Sequence, residues 1–89
     1  MIRNQDWLTV GKIVGAQGLK GDVRVLSQSE FPERFTKKGV RWIQKGSEHP
    51  RKIQLTSGRQ LPGKSIYVVK FEEIFNRDKA ESIIGYKLL

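Results

Sequence analysis

The stretch that decides the fold is Val10 to Leu26, V-G-K-I-V-G-A-Q-G-L-K-G-D-V-R-V-L. Two short apolar runs, Val10–Val14 and Val23–Leu26, flank a connection with glycines at Gly15, Gly18 and Gly21. In the first run Val10, Lys12 and Val14 alternate with Gly11 and Ile13. In the second, Val23 and Val25 alternate with Asp22, Arg24 and Leu26. A period of two over such runs predicts half-buried strands. Glycines three apart mark backbone that needs positive φ or close approach. The expectation is strand, glycine loop over Gly15 to Gly21, strand.

Working outward, the first strand is expected over Leu8 to Val14, with Trp7 capping one end of the core and Met1 to Asp6 a frayed end. The second strand is expected over Gly21 to Ser27. In S-E-F-P-E-R-F (Ser29 to Phe35), Pro32 followed by Glu33 suits the first turn of a very short helix, with Ser29 or Glu30 near its cap. Phe31 and Phe35 are four apart, so both are expected to face the core from one turn. Thr36 to Gly39 reads as a basic turn. Val40 to Lys45 is a third strand with Val40, Trp42 and Gln44 on one face. Gly46 to Pro50 is turn chemistry. Arg51 to Thr56 is a fourth strand with Ile53 and Leu55 inward, and Ser57 to Lys64 a loop or distorted strand end. Ile66 to Glu72, I-Y-V-V-K-F-E, is the strongest strand by composition.

The period then changes. Asn76 to Gly85, N-R-D-K-A-E-S-I-I-G, predicts one helix. Asn76 is its N-cap, Asp78 lies near the positive end of the dipole, and Ala80, Ile83 and Ile84 form the apolar stripe. Phe75 is placed to staple onto Ala80, and Gly85 to take the left-handed C′ position. Tyr86 to Leu89 starts one more strand. Short strands separated by turn signals predict an all-β fold, a small antiparallel barrel, which also leaves no sheet edge exposed.

The chain has 89 residues, which bounds it to one domain with a modest core. It has no cysteine, so disulfides and thiolate metal sites are excluded, in keeping with a reducing, cytoplasmic setting. The polar start M-I-R-N-Q-D-W-L lacks the apolar core of a signal peptide, and no apolar run is long enough for a membrane helix.

The net charge is +8, and it is concentrated. Between residues 34 and 70 stand Arg34, Lys37, Lys38, Arg41, Lys45, Arg51, Lys52, Arg59, Lys64 and Lys70, against Glu48 alone. This is either a solvated face or the footprint of an anionic partner, RNA or a ribonucleoprotein.

Catalytic and cofactor readings find little support. The one histidine, His49, precedes Pro50 in a turn. Without a cysteine and with that single imidazole, Ser/His/Asp and Cys/His arrangements have few candidates. Glu72 and Glu73 are neighbours, and neighbours on a strand face opposite ways. No metal ligand set is visible, and no cofactor or catalytic residue is expected. A Walker loop needs G-x-x-x-x-G-K-[ST] opening a helix, and a dinucleotide fingerprint needs G-x-G-x-x-G. The spacing here is G-x-x-G-x-x-G and opens a strand. Lys64 to Phe71 matches part of an RNA-recognition-motif signature at Lys64, Val69 and Phe71. The stacking positions hold Ile66 and Val68, so that strand offers no aromatic platform.

The stretch Val10 to Val25 resembles the opening signature of the bacterial ribosome maturation factor RimM family, V-G-x-I, then G-x-x-H-G-L-[RK]-G, then x-V-x-V. F-P-E-R-F (Phe31 to Phe35) and Asn76 to Gly85 are similar to two further motifs of that family, in the same order. Gln17 stands where many members have His. The resemblance implies a six-stranded antiparallel barrel of the translation-factor and reductase type, with a short helix before the last strand. It implies that residues 1–89 form the family's N-terminal domain, without the second, PRC-type barrel that usually follows. It implies a non-catalytic assembly factor for the head of the small ribosomal subunit. Expected partners are ribosomal protein S-nineteen and head rRNA, with processing of small-subunit rRNA promoted and the domain itself monomeric.

Two candidate surfaces follow. One is the loop Gln17, Gly18, Leu19, Lys20 and Gly21, a partner-binding site in which Leu19 is either tucked onto the barrel mouth or a partner anchor. The other is the basic group Arg34, Lys37, Lys38, Arg41, Arg51 and Lys52, for RNA phosphates. Lysines and arginines without stacking aromatics position phosphate and do not read sequence. The competing readings are a protein-docking barrel with incidental charge, and a flavin-reductase-like barrel by fold analogy alone.

Overall fold

The computed structural model describes residues 8–89; Trp7 and the Met1–Asp6 end lie outside the described residues. The elements run β1 (Gly11–Gln17), β2 (Asp22–Ser27), α1 (Glu33–Thr36), β3 (Gly39–Gln44), β4 (Arg51–Gln60), β5 (Ile66–Phe71), α2 (Arg77–Ser82) and β6 (Lys87–Leu88). All strand pairs are antiparallel, and the sheet closes in the order β1-β2-β5-β4-β3-β6. The expected six-stranded barrel with one short helix before the last strand is the observed fold.

Inward positions come from every strand. Ile13, Val23, Val25, Ile43, Ile53, Leu55, Tyr67, Val69, Phe71 and Leu88 fill the interior, and Phe35, Ile74, Ala80 and Ile83 close over it from the connections. Phe35 stacks on Tyr67 with ring centroids 4.6 Å apart. Two-residue β6 completes the closure because Leu88 is the register partner of both Gly11 and Ile43.

Several local expectations are corrected. The first strand does not stop at Val14. A bulge between Ile13 and Gly15 shifts the register with β2, so the chain continues as β1 to Gln17. The extra residue breaks the alternation: Lys12 and Val14 face out, while Gly15 and Ala16 are buried in succession. Val10, expected on the face of Lys12, precedes β1 and is buried. Of the two readings of Ser57 to Lys64, the distorted strand end holds as far as Gln60: β4 runs on through Ser57 and Gly58, with its own register shift between Leu55 and Ser57. Gly58 is required there because a Cβ would overlap the main-chain carbonyl of Phe35, where α1 lies on the strand.

Phe31 and Phe35 part company. Phe35 is fully buried and Phe31 is 57% exposed, because Phe31 precedes the helix, whose N-cap is Pro32. Ser29 caps a turn instead, its hydroxyl accepting from the Phe31 amide at 3.2 Å. Glu72 and Glu73 lie on the turn after β5, and Glu73 Oε1 accepts from the Gln54 amide at 3.0 Å.

In α2 the Asn76 side chain accepts from the Lys79 amide at 2.8 Å, the expected N-cap. Phe75 does not serve as a staple. It is 62% exposed with the Lys79 ammonium 5.0 Å from its ring centroid, and Ile74 is the buried residue at this entry. Ile84 is exposed, since the helix has given way to tighter turns by then. Gly85 is left-handed, φ 95°, but one residue beyond the expected C′ because Ile83 is the C-cap.

Candidate nucleic-acid interface

The glycine connection is a tight turn rather than a seven-residue loop. Gln17 ends β1 half-buried, and Gly18 and Gly21 take φ of 74° and 97°. The turn is tied to the rest of the barrel end. The Arg77 guanidinium donates to the Gly18 carbonyl at 3.1 Å. Lys70 donates to the Lys20 carbonyl and sits 4.0 Å from Asp22. Gly21 is buried against the Ile74–Asn76 backbone. Leu19, held at the tip, is 79% exposed, which removes the reading in which it tucks onto the barrel mouth. Of the five loop candidates, Leu19 and Lys20 are displayed and Gly21 is their scaffold.

The basic candidates divide into two neighbouring groups. Arg34, Lys37 and Arg41 line one groove of about 440 Å³ together with Phe31, Glu33, Val40, Trp42 and Leu89. Arg51 and Lys52 line a second hollow of about 300 Å³ with Ile53, Glu73, Ile74, Lys79 and Ser82. The two groups meet at the β3–β4 ladder, where Lys52 is directly opposite Trp42. Lys38 is exposed in the turn between α1 and β3.

Arg41 differs from the rest. Its guanidinium donates to the carbonyls of Arg34 (2.9 Å), Val40 (2.9 Å), Glu33 (3.2 Å) and Lys37 (2.6 Å). The Glu33 carbonyl also accepts from the Lys37 amide at 3.0 Å, but a four-residue helix leaves most of its carbonyls short of such partners, and Arg41 supplies donors that hold α1 to β3. Its pKa is lowered from the ordinary arginine value by burial first and by the nearby Arg34 charge second. Arg41 therefore builds the groove, while Arg34 and Lys37 supply charge at its rim.

Two groups were missed by charge alone. Phe31 and Trp42 put aromatic rings among the cations, and Arg34 Cζ lies 5.7 Å from the Phe31 ring centroid. The signal was present in F-P-E-R-F: the three-residue spacing from Phe31 to Arg34 spans about one helical turn. His49 is exposed. Among the described residues no group of three or more His, Asp or Glu could hold a metal ion, and no helix is long and apolar enough to cross a membrane.

A closed antiparallel barrel with its functional candidates in a hairpin tip and an open cationic face defines a small β-barrel domain of the surface-presenting kind. The RimM N-terminal domain pattern matches residues 8–89, and the chain belongs to the RimM family. It is 62% identical over 89 residues to a ribosome maturation factor RimM of Prochlorococcus marinus strain MIT 9211, covering 100% of this chain and 51% of that protein. It is 56% identical over 84 residues to the ribosome maturation factor RimM of Synechococcus sp. strain WH7803, covering 94% of this chain and 48% of the relative. A crystal structure from Pseudomonas aeruginosa, described as a 16S ribosomal RNA processing protein RimM, superposes with a TM-score of 0.74 at 24% identity. That match covers 91% of this chain and 48% of the other, and speaks to the fold. The chain spans about half the length of the curated relatives it matches.

Proposed function

We propose that this domain is a non-catalytic binding module that assists maturation of the small ribosomal subunit, contacting rRNA through its cationic face. Its match to the RimM N-terminal domain, with relatives called ribosome maturation factors, supports the setting. The observation that carries the mode of action is the gathering of Arg34, Lys37 and Arg41 in one groove, continued across the Trp42–Lys52 pair. Lys38, Arg51 and Lys52 extend the same field. The turn tip, with Leu19 exposed between tied-down glycines, is the surface for a protein contact, for which ribosomal protein S-nineteen is the expected partner. The domain acts as a monomer in the cytoplasm, and promotes RNA processing by holding an intermediate rather than by cleaving it.

The test is binding to naked small-subunit rRNA across salt. With Arg41 engaged internally, Arg34, Lys37, Lys38, Arg51 and Lys52 remain for phosphates. Five contacts predict a log–log slope of about −3.5 on single strands, hence about a hundredfold loss between 50 and 200 mM salt. A flat, weak response overturns the RNA contact and leaves protein docking through the turn. Capture of immature small subunits by the domain tests the ribosomal setting itself.

A further inference from the structure

We propose that the groove between α1 and β3 is a stacking site for an unpaired RNA base, with Phe31 and Trp42 as its aromatic faces and Arg34 and Lys37 beside the flanking phosphates. The proposal rests on the RNA reading above and goes beyond it, since phosphate contact alone requires no aromatic group.

Phe31, Val40, Trp42 and Leu89 lie around one groove. Phe31 and Val40 are 57% and 51% exposed. An apolar patch rimmed by charge marks an interaction site, and here the rim identifies the partner. Arg34 and Lys37 lie on the groove, Lys52 is the cross-strand neighbour of Trp42, and Arg51 follows along β4. A run of cations beside an exposed Phe31 ring and a half-buried Trp42 fits a polymer that alternates phosphate and a flat π-surface.

The volume, about 440 Å³, falls at the low end of the range of roughly 300–1,000 Å³ for small-ligand sites. It admits a nucleobase with its sugar. Glu33 is the acidic lining residue. It repels a phosphate, and equally an acidic peptide, but it accepts from the exocyclic amino group of a base. The base therefore belongs in the groove and the phosphates at its rim.

The site is rigid before any ligand arrives. Arg41 clamps the carbonyls of Glu33, Arg34 and Lys37 to β3, which fixes the position of α1 over the strand carrying Val40 and Trp42. A preformed slot lowers the ordering cost of binding.

The experiment uses the 89-residue chain carrying Trp7→Phe, so that Trp42 is the only indole, titrated at low salt with single-stranded hexaadenylate. Binding is expected to quench Trp42 fluorescence. An abasic strand of equal length is expected to bind more weakly and leave the emission unchanged. Phe31→Ala is expected to weaken hexaadenylate binding about tenfold, with Phe31→Tyr restoring it. Phe31 is exposed, so these substitutions leave the fold intact, and the melting curve checks this. If RNA binds with the expected salt dependence but Trp42 emission and Phe31→Ala affinity do not change, the stacking site is wrong and the RNA contact stands. If no RNA binds, both fall. Quenching by an acidic aromatic peptide but not by RNA would reassign the groove to a protein partner and overturn the proposal.

Discussion

Gly18 and Gly21 border the same turn, both with positive φ, yet alanine at the two positions has different consequences. At Gly18, φ 74°, an added Cβ finds nothing within 4 Å. At Gly21, φ 97°, it overlaps the Ile74 carbonyl group, lying 2.7 Å from its carbon, and comes within 2.9 Å of the Asn76 nitrogen. The left-handed backbone costs an L-residue about 1–2 kcal/mol at either site. Alanine also lowers the entropy of the unfolded chain, offsetting about 0.4–1 kcal/mol at both. These terms nearly cancel between the two variants. What remains is the clash, which backbone atoms cannot relieve by rotating a side chain; overpacking of this kind costs about 1–3 kcal/mol. For a domain of this size each kcal/mol moves the melting temperature by about 6 °C. Gly21→Ala is therefore expected to melt about 6–18 °C below Gly18→Ala, measured by circular dichroism or calorimetry under identical conditions. Equal melting temperatures would show that the turn is not seated on the Ile74–Asn76 backbone. The rigid display of Leu19 and Lys20 would then lose its structural basis.

The two phenylalanines of F-P-E-R-F should also separate. Phe35→Ala, at a fully buried ring stacked on Tyr67, is expected to cost about 3–5 kcal/mol in urea unfolding, and Phe31→Ala no more than about 0.5 kcal/mol. Arg41→Lys should cost about 1–2 kcal/mol, because a single ammonium cannot reproduce the fork that bonds four carbonyls. Faster amide exchange in α1 would locate that loss. Asn76→Ala should cost about 1 kcal/mol and Asn76→Gly only a few tenths, as befits an N-cap whose side chain accepts from the Lys79 amide; equal losses would point to some other role for Asn76.

The barrel was legible in the sequence wherever one rule governs a residue. Alternation placed β2, and Ile53 and Leu55 as inward positions of β4, while β-branched and aromatic composition placed β5. Asn76 announced α2 because its side chain acts within its own turn. The misreadings share a cause: a distant contact overrides a local preference. Gly58 reads as a strand breaker, yet it permits β4 to continue under the Phe35 carbonyl. Gly15 reads as a loop, yet it follows a bulge inside β1. Phe31 and Phe35 share a helical spacing, but Pro32 starts the helix one residue too late for Phe31 to join it. The candidate site was half legible. Charge density marked the basic face. That Arg41 is engaged internally, and that Phe31 joins Trp42 in a groove, depends on how α1 docks on β3.

The position of β6 has a consequence for biosynthesis. Leu88 joins β1 to β3 by pairing with Gly11 and Ile43, contacts separated by about half the chain or more. The β1–β2 and β3–β4 hairpins are local and free to form as they leave the translating ribosome. The seam between them stays open until Leu88 has cleared the exit tunnel. Until then the half-built sheet presents unpaired strand edges at β1 and β3, the stage at which a nascent chain is most prone to wrong pairing. The native domain is thus sealed by the short stretch from Gly85 to Leu89, and a ribosome stalled shortly before it would carry an open sheet rather than a smaller barrel.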